Sequence, residues 1–281
     1  VAVTGVQTCA LPISLLFSAT QALAIDVVIP PKSSQEDYSK RRTLSQKAFD
    51  TSNDLEIANA KCKTQIVPST EDLIHELSSS KSLFDHALQA FDIPQQKLSG
   101  KCKTSLCQIL NVFGKDAGYR MIFLFQLGFN TSPYIANDAR AWNASELNQI
   151  VATVLDLPRQ KFRFDDKALT RFPNGYTLAM YGQDNAVVAN ASITIFDLWD
   201  TLPAEEKQYT IFHEIAHNID DELSIEVQTN ENASVWNSKT TTSEYGDSNR
   251  AEDIAESISA YRYSPGYLKN VSQKKYEWIR S

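Results

Sequence analysis

A chain of 281 residues with 42% hydrophobic and 22% charged residues can bury one large core or two modest ones, and its composition is that of an ordinary soluble globular protein. A net charge of −7, with no long Lys/Arg run and no aromatic-plus-basic stripe, argues against a nucleic-acid binder. No apolar stretch is long enough for stable membrane insertion, which removes a membrane-embedded class.

Residues 3–13 read like an in-frame translation of a widely used short-read sequencing adapter, so residues 1–14 are expected to be an artefact. The apolar residues that follow end in Ala22, Leu23 and Ala24, the small-x-small pattern of a truncated secretory signal peptide. The mature chain is therefore expected to start near Ile25 and to be secreted or periplasmic. Apart from Cys9, the cysteines are Cys62, Cys102 and Cys107, which permit one disulfide and one thiol. Cys62 and Cys102 share a Lys-Cys-Lys-Thr context, whereas Cys102 and Cys107 would close a local loop, and either bridge suits an oxidising compartment.

Residues 25–132 read as a helical region, broken by Pro68, Pro94, Gly100 and Gly114. Ser69 with Asp72 is a capping signature ahead of Leu73, Ile74, Leu77, Leu83 and Leu88, which suggests an amphipathic helical hairpin. Residues 119–129 are strongly apolar, but Lys115, Asp116 and Arg120 flank them closely, so a buried core helix is expected. A second region, residues 133–281, opens with Asn143 and Glu146 as a capping box before Leu147, Ile150, Val151, Val154 and Leu155, in a helix stopped at Pro158. Residues 190–195 alternate polar and apolar as a strand with one buried face.

His213, Glu214 and His217 form an HExxH sequence, with Thr201, Pro203, Glu205 and Glu206 as a helix start before it. Four-residue spacing puts both imidazoles on one helix face, where ring nitrogens can bind Zn²⁺ and the intervening Glu can reach water on the metal. Phe212, Ile215, Ala216 and Ile219 supply the opposite, core-facing stripe. His75 and His86, the other two histidines, are expected on solvated or partly packed faces. A catalytic tetrahedral site needs one more protein ligand, and no third histidine follows. Glu252 and Glu256 lie one turn apart on a second helix, suited to one direct ligand and one group that orients a histidine. Ile254, Ile258 and Tyr261 form that helix's packing stripe.

The HExxH run, Asn218 to Asp221 after it, Tyr245 seven residues before Glu252, and the run from Glu252 to Glu256 resemble the anthrax-lethal-factor-like zinc peptidases of the gluzincin group. The resemblance covers roughly residues 194–263. It implies an α+β, zincin-like metallopeptidase domain, preceded here by the mainly helical region. It also implies one catalytic Zn²⁺ held by His213, His217 and Glu252, with Glu214 as general base, Tyr245 as oxyanion stabiliser and Glu256 at a second acidic position. Asp220, seven residues after His213, shares the ligand face and can orient a histidine, with capping or solvent exposure as the competing reading. Residues 190–195 would bind a peptide or protein substrate by edge addition. The expected reaction is peptide-bond hydrolysis; the rivals are a zincin-fold secreted binding protein without turnover, a zinc hydrolase of non-peptide amides or esters, and a helical interaction module with structural metal.

Overall fold

Ser69 starts the first described helix: its hydroxyl accepts from the Asp72 amide at 3.1 Å and its amide donates to the Asp72 carboxylate at 2.9 Å. Four helices follow from there, α1 (Thr70–Leu77), α2 (Lys81–Ala90), α3 (Ser105–Phe113) and α4 (Lys115–Gln126). The structure, a computed structural model, describes residues 67–155, 167–173, 178–181, 193–228, 234–236, 240–243, 245–263 and 265–280. The adapter-like and signal-like residues, Cys62, and the side chains of residues 180, 181, 205 and 219–228 lie outside that description.

The α1–α2 hairpin matches the sequence expectation, and His75 and His86 are exposed on it. Gly114, at a φ of 79° that other residues seldom adopt, ends α3 and turns the chain directly into α4. Cys102 is disulfide-bonded to Cys107, the local of the two possible loops. Gly118 to Leu124 are all buried, which makes α4 a core helix. No helix among the described residues is long and apolar enough to cross a membrane.

The chain then alternates strands with longer helices. β1 (Phe129–Asn130) precedes α5 (Ala144–Leu155), whose capping box is formed by Asn143 and Glu146 through bonds of 2.8 and 2.9 Å. β2 (Lys167–Phe172), β3 (Ala179–Tyr181) and β4 (Ile193–Phe196) complete a four-stranded sheet of order β1-β2-β4-β3. β1, β2 and β4 are parallel, with Thr170 opposite Thr194, and β3 is antiparallel to β4. α6 (Ala204–Gln228), α7 (Arg250–Tyr263), α8 (Pro265–Val271) and α9 (Gln273–Arg280) follow. The protein is thus α+β and mostly helical. One buried apolar cluster runs from Leu73 in α1 to Tyr276 in α9, so the early helices and the sheet share a core.

The strand expected at 190–195 is present as β4 over Ile193–Phe196, but not at an edge of the sheet. Ile193 and Ile195 in β4 do bury one face, but residues 190–192 lie outside the described residues. β4 bonds to β2 on one side and β3 on the other, so it has no edge to offer a peptide. Alternation in sequence reports which face is buried; it carries no information about which strands flank it.

Arg171, fully buried in β2, ties the sheet to the entrance of α6. Its Nη2 reaches Asp200 at 2.7 Å and Asp197 at 2.9 Å, both in the 3₁₀ turn Asp197–Thr201, and its Nη1 donates to the Ile195 carbonyl at 3.1 Å. Trp142 and Trp199 lie 5.9 and 5.7 Å from the guanidinium, sheltering it from water. Arg140 shares the two aspartates and grips Glu146, whose carboxyl is held low by Arg140 although burial opposes this. Arg171→Leu leaves Glu146, Asp197 and Asp200 short of one buried counter-charge and is expected to cost about 3–5 kcal/mol, read by urea unfolding.

Glu206, part of the expected helix-start signal, is 4% exposed in the first turn of α6. Burial pushes its carboxyl up to about 7. The folded protein therefore holds that proton more tightly than the unfolded chain, so the stability it confers is full below the unfolded value of 4.5 and is lost as pH rises through about 7. Glu206→Gln is expected to flatten the fall in unfolding free energy between roughly pH 5 and 8, measured by urea titration across that range.

Candidate metal centre

α6 enters the core where Pro203 accepts the Lys207 amide at 3.0 Å, and from Tyr209 to Asn218 every residue is buried. The helix needs no solvated face there, because α5, the β3–β4 side of the sheet and α7 cover it. Phe212, Ile215 and Ala216 fill the apolar contacts, as their spacing suggests. Ile219 and Asp220 belong to α6, but their side chains lie outside the described residues.

α7 is capped by Asn249, whose side-chain oxygen accepts the Glu252 amide at 3.0 Å. Glu252 and Asp253 occupy its first turn, where the positive end of the helix dipole favours carboxylates. Ile254 and Ile258 are buried and Tyr261 is half-buried along its packing stripe.

Packing α7 along α6 brings Glu252 Oε2 to 3.0 Å from His213 Nε2 and 3.3 Å from His217 Nε2. The two imidazoles stand nearly perpendicular with centroids 4.9 Å apart. His213, His217 and Glu252 each present one ligand atom, all within 4.8 Å of one another, so this group can hold a metal ion. The donor set fits: metal bonds of about 2.0–2.1 Å in tetrahedral geometry put neighbouring ligand atoms roughly 3.3 Å apart. Glu256, one turn further along α7, takes the other nitrogen, with its Oε1 2.9 Å from His213 Nδ1. A carboxylate there favours the tautomer that leaves Nε2 with its lone pair toward Glu252 and His217.

Tyr245 donates to the second oxygen of Glu252 at 2.5 Å, and its ring lies 5.9 Å from that of His213. It sits in a closed turn: Gly246 N donates to Ser243 Oγ at 2.9 Å, and Ser248 Oγ donates to the Tyr245 carbonyl at 2.7 Å. Gly246 packs this turn against α7, the position a Cβ would take lying 3.4 Å from the Asp253 Cα.

Tyr209 was not a candidate in the sequence. Its hydroxyl donates to the same Glu256 oxygen that meets His213, at 3.2 Å. It precedes His213 by one helical turn, a same-face spacing that could have found it, but tyrosine is not a metal-site signature and no local rule links it to a residue 47 positions away.

Glu214 is fully buried, and Glu256 is nearly so. Burial alone would lower the His213 pKa, but hydrogen bonds that the ring donates to Glu252 and Glu256 and the charges of Glu256 and Glu214 outweigh it and raise His213 to about 9. Three carboxylates around two imidazoles leave a surplus of buried negative charge, which a bound cation would offset. No family model, curated protein or solved structure matches the chain.

With the metal-free His213 protonated below about 9, a divalent cation must displace that proton to reach Nε2. Uptake at pH 7.5 is expected to release about one proton, seen as a dependence of the calorimetric heat on buffer ionisation enthalpy, and metal affinity should fall as pH drops. Equal heats in buffers of different ionisation enthalpy would contradict this protonation state.

Proposed function

We propose that the protein is a zinc-dependent peptidase, with His213, His217 and Glu252 holding the metal and Glu214 acting as general base. The observation that carries this reading is the convergence of two Nε2 atoms and one carboxylate oxygen across 39 residues of sequence, with Glu256 orienting His213 from behind. Two imidazoles and a carboxylate are a catalytic zinc donor set that keeps a fourth position open. The motif resemblance to the anthrax-lethal-factor-like peptidases and the packing of α6 against a mixed sheet support the same reading.

Zinc bound there would lower the pKa of water and polarise a carbonyl. Glu214, one residue from His213 and shielded from bulk solvent, is suited to take the proton of the attacking water and pass it to the leaving amine. Tyr245 holds Glu252 through its hydroxyl in the present arrangement; releasing that bond frees the same O–H to donate to the oxyanion that develops on the substrate carbonyl. Glu256 and Tyr209 keep the His213 ring in place throughout.

Substrate backbone is best matched by β3, the terminal strand of the sheet, which packs beside α6. An extended peptide aligned on it would lie along the helix that carries His213 and His217. The Cys102–Cys107 disulfide supports the reading that the protein is exported.

The test compares zinc content and cleavage of a mixed peptide library for the parent and Glu214→Gln. Glu214→Gln should retain stoichiometric zinc and lose about 10²–10⁴-fold in cleavage rate. Zinc in both with cleavage in neither would favour a non-catalytic binding protein, cleavage of amide or ester probes alone would favour a non-peptide hydrolase, and absence of zinc would sink the metal reading.

A further inference from the structure

Lys275, in the first turn of the last described helix, α9, is fully buried. A buried ammonium is expensive unless all three of its hydrogens are accepted. Here they are: Nζ lies 2.7 Å from Asp253 Oδ1, 2.6 Å from Asp253 Oδ2 and 2.7 Å from the Thr240 carbonyl oxygen. The Trp236 ring lies 5.3 Å from the same nitrogen and helps close it off from water.

The two partners of Lys275 belong to the two segments that carry site residues. Asp253 follows Glu252 in the first turn of α7, and Thr240 begins the stretch that leads through Ser243 to the Tyr245 turn. A second bond anchors the same stretch from α8, since the Tyr267 hydroxyl donates to the Thr242 carbonyl at 2.7 Å. We propose that Lys275 is a positioning residue that fastens the Tyr245 segment and the first turn of α7 to each other, so that Tyr245 and Glu252 meet at hydrogen-bonding distance. Its relevance to metal binding rests on the peptidase reading; the fastening itself does not.

The geometry favours this over a stabilising role alone. Replacing a buried ion pair by apolar groups of similar size is often neutral for stability, so the charge pair contributes little that packing could not. What an apolar pair cannot reproduce is a three-way link between a carboxylate on one segment and a main-chain carbonyl on another. The C-terminal helix is thereby part of the site, although it supplies no atom to it.

The test removes both charges together, because Lys275→Met alone would strand the Asp253 carboxylate. In Asp253→Leu with Lys275→Met, amide exchange across residues 240–253 of the metal-free protein is expected to rise while the melting temperature stays near the parent's. Zinc affinity, read by competition with a chromophoric chelator, is expected to fall roughly 10–100-fold, the range for lost supporting contacts. If that variant does not fold, Asp253→Val with Lys275→Leu, a smaller apolar pair that likewise removes the link, is read in the same way. Parental exchange and parental zinc affinity in whichever variant folds would overturn the proposal. A parent that binds no zinc, with exchange still raised in the variant, would sink the peptidase reading and leave the fastening role standing.

Discussion

The packing of α7 along α6 is the constraint on which the rest of the protein depends. It brings Glu252 and Glu256 against the two nitrogens of His213, near the buried carboxylate of Glu214, with Glu252 partly exposed and the rest in the core. Burying three carboxylates is tolerable only where positive charge answers them. The proton on His213 answers part of that charge, and a divalent cation between His213, His217 and Glu252 would answer more. The site is thus an electrostatic demand written into the helix interface, and the apolar contacts of Phe212, Ile215, Ile254 and Ile258 hold the interface closed around it.

Two other buried charge clusters serve that interface from its two ends. Arg171 and Arg140 join the sheet, the start of α5 and the 3₁₀ turn at Asp197–Thr201, and so set where α6 begins and in what rotational phase His213 enters the core. Lys275 acts on the other partner helix, at its first turn. Each cluster spans segments far apart in sequence and meets its buried cation with several carboxylate and carbonyl oxygens, which offset the solvation lost on burial.

Tyr245 joins the turn that carries it to Glu252 on α7. Its hydroxyl holds Glu252 Oε1, and the turn around Gly246 sets its backbone beside the first turn of α7. Under the proposed peptidase reading, the same hydroxyl would link metal retention to charge stabilisation on a substrate.

Much of the local structure was legible from the chain alone. Ser69 with Asp72, Asn143 with Glu146, and the apolar spacing of residues 119–124 mark helix starts and a buried helix because capping and periodicity act over three or four residues. The same short range makes His213 and His217 share a face. Other features had no local signal. Glu252 and Glu256 were interchangeable as a ligand and a supporting group until the helix crossing put one at Nε2 and the other at Nδ1. β4 alternates as an edge strand would, yet lies between two neighbours; the burial of Glu206 has no local mark; Tyr209 and Lys275 carry no motif at all. Sequence by itself determined which residues form the helices and which two imidazoles pair, since those follow from backbone hydrogen bonding within a turn. Only the tertiary structure decided which carboxylate faces them and what holds it there, because contacts across 22 to 47 residues depend on how whole elements pack, and no local pattern encodes that.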